Sequence, residues 1–156
     1  MLLKSESIGL SYNIARRCVE EFPGEAAAWH NIGKCYHERQ QTDKAEEYFK
    51  KALKVNPGFV ASMEGMSMIG LERGDFDLAI AYANRALAES DESIDSRTNR
   101  GMAYLALKRW REGWRDYNVN IGLEKNRKEI IYGDEPRWDG TKGLDIVCYT
   151  EQGLGD

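Results

Sequence analysis

Proline, cysteine and histidine are all scarce in this chain, and each scarcity narrows what it can be. Only three prolines occur in 156 residues, at 23, 57 and 136. Long stretches are therefore free of the residue that removes a backbone donor and breaks helices. The three cysteines, Cys18, Cys35 and Cys148, are an odd number without metal-ligand spacing. That excludes a disulfide framework and is the pattern of reduced thiols in a cytoplasmic protein. No apolar run approaches the roughly 18–20 residues of a membrane helix. The first residues, MLLKSES, carry no secretion signature. An acidic pI of about 5.4 and the lack of a recognisable motif argue against a nucleic-acid partner.

Ordinary amounts of apolar (42%) and charged (31%) residues fit a helical domain with a real core. The net charge of −4 is unevenly spread. Residues 97–128 hold nine Lys or Arg against three acids, a local +6, which leaves −10 elsewhere. Such a segment is either a surface for acidic partners or a solvated helix face, and the second reading is preferred.

Internal repetition is the dominant pattern. Residues 26–59 place Trp29, Ile32, Gly33, Tyr36, Ala45, Phe49, Ala52 and Pro57 at fixed offsets. Stepping by about 34 residues gives Met63, Met66, Ser67 and Gly70, followed by Ala79, Ala83 and Ala86, and then Gly101, Tyr104, Gly113 and Tyr117. Stepping back gives Ser11, Ala15, Cys18 and Pro23, the second half of a further unit. Small residues at these offsets let helices approach closely, while the aromatics fill the gaps between them. The pattern predicts helices over 5–21, 26–39, 42–54, 60–72, 75–88, 94–107 and 110–124. Phe22-Pro23 and Asn56-Pro57 stop helices, and Asp75 after Gly74 is placed to cap one. Cys18 and Cys35 fall at packing positions, where cysteine acts as a small hydrophobe.

The offsets resemble those of the tetratricopeptide repeat, a helix-turn-helix unit that stacks into a superhelix. The resemblance implies an all-α fold: a solenoid over residues 1–130, with a partial repeat at 1–25, full repeats at 26–59, 60–93 and 94–127, and a short non-repeat tail. It also implies a protein or peptide partner in a concave groove built from the first helix of each pair. The groove residues it points to are His30, Asn31, Lys34, His37, Glu64, Met68, Thr98, Asn99 and Met102. Asn31 and Asn99 share the sixth repeat position, where O-linked N-acetylglucosamine transferases carry an asparagine ladder along an extended client; Gly65 interrupts it here. His30 and His37 lie on one helix face and are read as polar lining, with no metal and no cofactor expected. The first helix, lacking its partner, would expose an apolar patch open to homodimerisation.

Composition shifts after the repeats. The run RWREGWRDYN, then PRWDG, a strand-like Leu144–Thr150 and finally EQGLGD resembles proteins in which tetratricopeptide repeats precede a GT-B glycosyltransferase-like domain. Residues 131–156 would then be a linker and the truncated start of that domain. Asp156 would match the carboxylate proposed as general base toward the acceptor hydroxyl. The nucleotide-sugar half would lie beyond residue 156, so this chain alone is not expected to be an enzyme. The implied role is a peptide-binding scaffold in a larger glycosyltransferase-like protein. A structural or dimerisation part of such an enzyme, or a free-standing adaptor, remains the alternative. Deleting residues 133–156 should leave the thermal midpoint nearly unchanged; a fall of more than about 10 °C would show that the tail is integral to the fold.

Overall fold

The computed structural model describes residues 2–120, with side chains described from residue 7 to residue 119. Seven α-helices follow one another in this region: α1 Leu2–Glu21, α2 Ala26–Glu38, α3 Thr42–Val55, α4 Val60–Arg73, α5 Phe76–Glu89, α6 Ile94–Ala106 and α7 Trp110–Tyr117. A 3-10 turn, Asn118–Asn120, ends the series. The expected linker, the strand-like segment 144–150 and Asp156 lie outside the described residues, as does the end of the helix expected to reach 124. Within the described part that last helix gives way after Tyr117 to the tighter turn, where Asn118 and Asn120 are poor helix formers.

The helices pack in sequence, α2 on α3, α4 on α5 and α6 on α7. Each pair stacks on the next through its second helix, and the first helices α2, α4 and α6 also touch along one side. Helix ends follow the sequence closely. α1 and α3 stop at the residues before Phe22-Pro23 and Asn56-Pro57. Asp75 Oδ1 accepts a hydrogen bond from Leu78 N at 3.0 Å, and Ser93 Oγ accepts one from Ser96 N at 3.1 Å, capping α5 and α6.

The turn inside each pair is the same in all three repeats. Gln40, Gly74 and Lys108 have φ of 58°, 73° and 60°. The next residue's amide reaches back in each case, Gln41 N to Tyr36 O (3.0 Å), Asp75 N to Gly70 O (2.8 Å) and Arg109 N to Tyr104 O (2.8 Å). This satisfies a carbonyl at the helix end. Only Gly74 takes the left-handed conformation without side-chain cost.

Phe49, Met66, Ile69 and Ala45 form the central cluster, with Tyr36, Leu53 and Tyr82 against its edge. A Cβ on Gly33 would come within 2.7 Å of the Phe49 ring, and one on Gly65 within 2.6 Å. The two glycines make the socket for this ring, one from its own pair and one from the next. Gly65 thus has a packing reason to interrupt the asparagine series. Gly101 is as close, but to backbone that cannot swing aside: its added Cβ would lie 2.6 Å from the backbone N of Tyr117.

The other aromatics differ from the expected gap-filling role. Trp29, Tyr36, Tyr82 and Tyr104 are only half-buried. Trp29 stacks on Tyr48 and Tyr48 on Tyr36, at 6.1 and 5.3 Å between ring centres, with the Lys51 ammonium 4.4 Å over Tyr48. Cys35 is buried as expected, and burial pushes its thiol pKa up. Cys18, by contrast, is exposed.

The third repeat departs from the apolar pattern. Arg100 stands at the position of Ile32 and Met66, and Asp116 at that of Tyr48 and Tyr82. They form an ion pair at 2.5 Å with Asp116 almost fully buried, and Arg100 also donates to Asn84 Oδ1 at 2.7 Å. Arg97 donates to the carbonyl of Asp91 and Arg109 pairs with Glu112. Of the six described basic residues of this segment, Arg97, Arg100 and Arg109 are therefore engaged in these intramolecular contacts.

Phe49→Ala should cost about 3–5 kcal/mol, read as a shift in the urea midpoint, because the emptied socket has glycine on two sides. Gln40→Gly and Lys108→Gly should each be neutral or stabilising by up to about 1 kcal/mol in the same measurement, whereas Gly74→Gln should destabilise.

Candidate functional site: the face of the first helices

The side-by-side first helices carry all nine residues singled out for a binding groove, but the structure divides them into two groups. One group holds the repeats together. His30 lies between Phe49, stacked at 5.2 Å, and the edge of Phe59 at 5.7 Å, and its Nδ1 shares a 3.1 Å hydrogen bond with Ser62 Oγ of α4. His37 Nε2 meets Glu72 Oε1 of α4 at 2.6 Å. Glu64 accepts hydrogen bonds from Ser93 Oγ at 2.6 Å and Ser96 Oγ at 3.2 Å, tying α4 to α6. Asn99 Nδ2 approaches the Glu64 carbonyl oxygen at 3.5 Å. His30 and Glu64, one repeat apart, thus do the same work at two successive joints.

The second group faces outward. Asn31 and Lys34 are exposed on α2, and Lys34 has no carboxylate partner among the described residues. Met102 is 44% exposed on α6, and Met68 and Thr98 are half-buried. Among the described residues no group of three His, Cys, Asp or Glu side chains is placed to hold a metal ion. None of the described helices is long and apolar enough to cross a membrane.

Serines were the signal that sequence reasoning missed. Ser62, Ser67 and Ser96 are fully buried, and Ser67 Oγ donates to the Ala79 carbonyl at 2.8 Å. Buried hydroxyls require partners, so a serine recurring at an inward repeat position points to a bond between helices. On the outer edge Arg73 bridges Asp43 and Glu46 at 2.7 and 2.5 Å, and the hydrogen bond from Lys50, followed by that from Arg73, holds the Glu46 carboxyl below its ordinary range.

His30 gives this joint a pH dependence. Burial, aided by the nearby Lys34 charge, lowers its pKa from 6.5 to about 4. Between those values the unfolded chain binds more protons than the folded one, so stability must fall as pH falls. The contribution is complete above pH 6.5 and is lost progressively towards pH 4. Measured by thermal melts across this window, His30→Asn should flatten the wild-type decline; an unchanged slope would show that His30 does not carry it.

The repeat has counterparts in known proteins. Residues 26–59 match the model of the tetratricopeptide repeat family. BBSome complex member BBS4 of Bos taurus is 35% identical over 78 residues, which cover 50% of this chain and 15% of that protein. Tetratricopeptide repeat-containing protein trd-1 of Caenorhabditis elegans is 28% identical over 128 residues, covering 81% of this chain and 17% of that protein. The chain spans less than a fifth of the length of these relatives. Among solved structures, MamA superposes with a TM-score of 0.61 at 15% identity, covering 69% of this chain and 63% of its own. The TPR domain of Arabidopsis OM64 gives 0.60 at 21%, covering 64% and 83%. A thermophilic TPR protein of Thermus thermophilus gives 0.64 at 21%, covering 75% and 66%. Seven helices in this order, a repeat that satisfies the family's model and neighbours of the same architecture make the described chain an all-α tetratricopeptide-repeat superhelix.

Proposed function

We propose that the chain is a protein-interaction scaffold that binds a protein or peptide along the concave face of α2, α4 and α6. The observation that carries this reading is the division of labour on that face. His30, His37, Glu64 and Asn99 lock each first helix to the next, so the face is set before any partner arrives. A preorganised surface loses less entropy on binding than one that must be ordered. What it then offers is the mixture of Asn31, Lys34, Met68 and Met102: polar groups for a peptide backbone and two adaptable thioethers. BBS4 is described as a member of a complex, which agrees with an assembly role.

The same proposal extends to a larger protein. The repeats, taken as residues 1–130, act as the recognition region, and residues 131–156 lead into a glycosyltransferase-like domain in which Asp156 would serve as base. The support for this is the residue set of the tail, from Trp138-Asp139-Gly140 to Gly155-Asp156. Reading the gene beyond codon 156 tests it: several hundred residues of alternating strands and helices are expected, and an immediate stop would end this part of the proposal.

For the binding face, a photo-crosslinking residue placed at Met68 or Met102 should capture the same partner, while one at the exposed Arg85 of α5 should not. Capture at all three sites alike, or only at Arg85, would overturn the concave-face assignment. Lys34→Glu should weaken the capture, and His30→Ala should act through stability, visible as a lowered melting temperature.

A further inference from the structure

The groove between α1 and α2 repeats, one unit earlier, a groove that the molecule fills twice with a helix. α2 lies over α3 and α4, and α4 lies over α5 and α6. Among the described residues, the corresponding place over α1 and α2 is instead an open groove of about 530 Å³. Its α1 wall presents Ile14 and Cys18, continued just past the helix end by Phe22, with Ile14 and Phe22 exposed by 56% and 59%. These residues are spaced by four, one stripe on one helix face, and Leu10, 63% exposed, extends the stripe towards the N-terminus. Beside this stripe α1 packs on α2, with Tyr12 edge-on to Tyr36, and the buried Ala15 forms part of the groove floor. The stripe is thus an exposed continuation of the apolar face that packs on α2.

Repeat equivalence states what would fit. Where α4 crosses its groove, Glu64 meets Ser93 and Ser96; the same positions two repeats earlier are Glu25 and Ala28, both lining the open groove. Where α2 crosses its groove, His37 meets Glu72; one repeat earlier that position is Glu38, also in the lining. Between these contacts a small residue, Gly33 or Ser67, faces Ala45 or the Ala79 carbonyl, and the equivalent of those alanines is Ser11. We propose that the α1/α2 groove docks an amphipathic α-helix of a partner chain that carries two basic side chains seven residues apart, one for Glu25 and one for Glu38, with a small residue three positions after the first. Its apolar face covers Ile14, Cys18 and Phe22, a helix-in-groove mode of recognition. Lys34, on the α2 wall, favours an acidic or polar residue at the rim. This inference goes beyond the concave-face reading and does not rest on it.

The probe is a capped, fluorescent peptide with the sequence of α4, residues 60–73, carrying Glu64→Lys and Leu71→Lys so that its two cations fall at the required spacing. Titrated against the full chain, it should bind saturably by anisotropy. A control peptide with Glu at both positions should bind roughly tenfold more weakly. Ile14→Asp, a change at an exposed site, should weaken the lysine peptide by a similar factor while leaving the circular dichroism melt unchanged. The double variant Glu25→Lys/Glu38→Lys should reverse the preference and take the glutamate peptide. Absence of saturable binding, or binding indifferent to Ile14→Asp and to the charge reversal, overturns the proposal. So does sedimentation showing a dimer that Ile14→Asp disperses and the peptide does not displace, since the groove would then belong to a second copy. Loss of crosslinking at Met68 and Met102 would leave this result untouched, so the two assignments fail separately.

Discussion

The seating of Phe49 between Gly33 and Gly65 is the contact on which the arrangement of the first two repeats depends. The ring comes from the second helix of one pair and needs a missing side chain both in its own pair and in the next. Burial of so large an apolar group provides the attraction, and the two glycines fix the distance at which it is gained. Met66 and Ile69 complete the same cluster from α4. His30 then stacks on the outer face of the ring, which places its imidazole against Ser62. The apolar joint and the polar joint are therefore one structure, and the spacing of the first helices follows from it.

That coupling changes the meaning of a polar residue on the inner face. In a solenoid viewed as a row of independent helices, a histidine, a glutamate and an asparagine facing inward are all offered to a ligand. Here His30, Glu64 and Asn99 are engaged with the neighbouring repeat before a ligand is considered. The cost of leaving such groups unpaired while half-buried exceeds what a solvent-exposed contact returns. The part of this face not engaged between repeats is smaller and more apolar than the sequence suggests.

Repetition also sets the terms for the two ends of the described helices. Each joint is a nearest-neighbour contact, so what α2 does for α3 and α4 states what any helix must do for α1 and α2. The apolar stripe of α1 is the counterpart of a surface within the stack, Ile14 standing at the repeat position of Tyr48 and Cys18 at that of Ala52. At the other end the third repeat replaces apolar positions with Arg100 and Asp116, a buried pair that needs both partners in place. The superhelix is thus stitched by apolar contacts in its first repeats and by an ion pair in its third.

The sequence by itself determined the number of helices and their pairing, though not the left-handed turns at Gln40 and Lys108 or the end of the last helix at Tyr117. Offsets of about 34 residues with glycine, alanine and proline at fixed places leave few other ways to bury the apolar faces. Even the burial of Met63 and Met66 could be read from their register with Trp29 and Ile32. It also named the inner-face residues, because membership of a helix face needs only local periodicity. Only the tertiary structure decided which of them are used up. Whether His30 meets Ser62, or Glu64 meets Ser93 and Ser96, depends on the distance and rotation between helices about 30 residues apart, and a linear pattern carries no such distance. The same reason explains Cys18, placed by register at a packing position yet exposed. Register says which face a residue occupies, and only the neighbouring helix decides whether that face is covered.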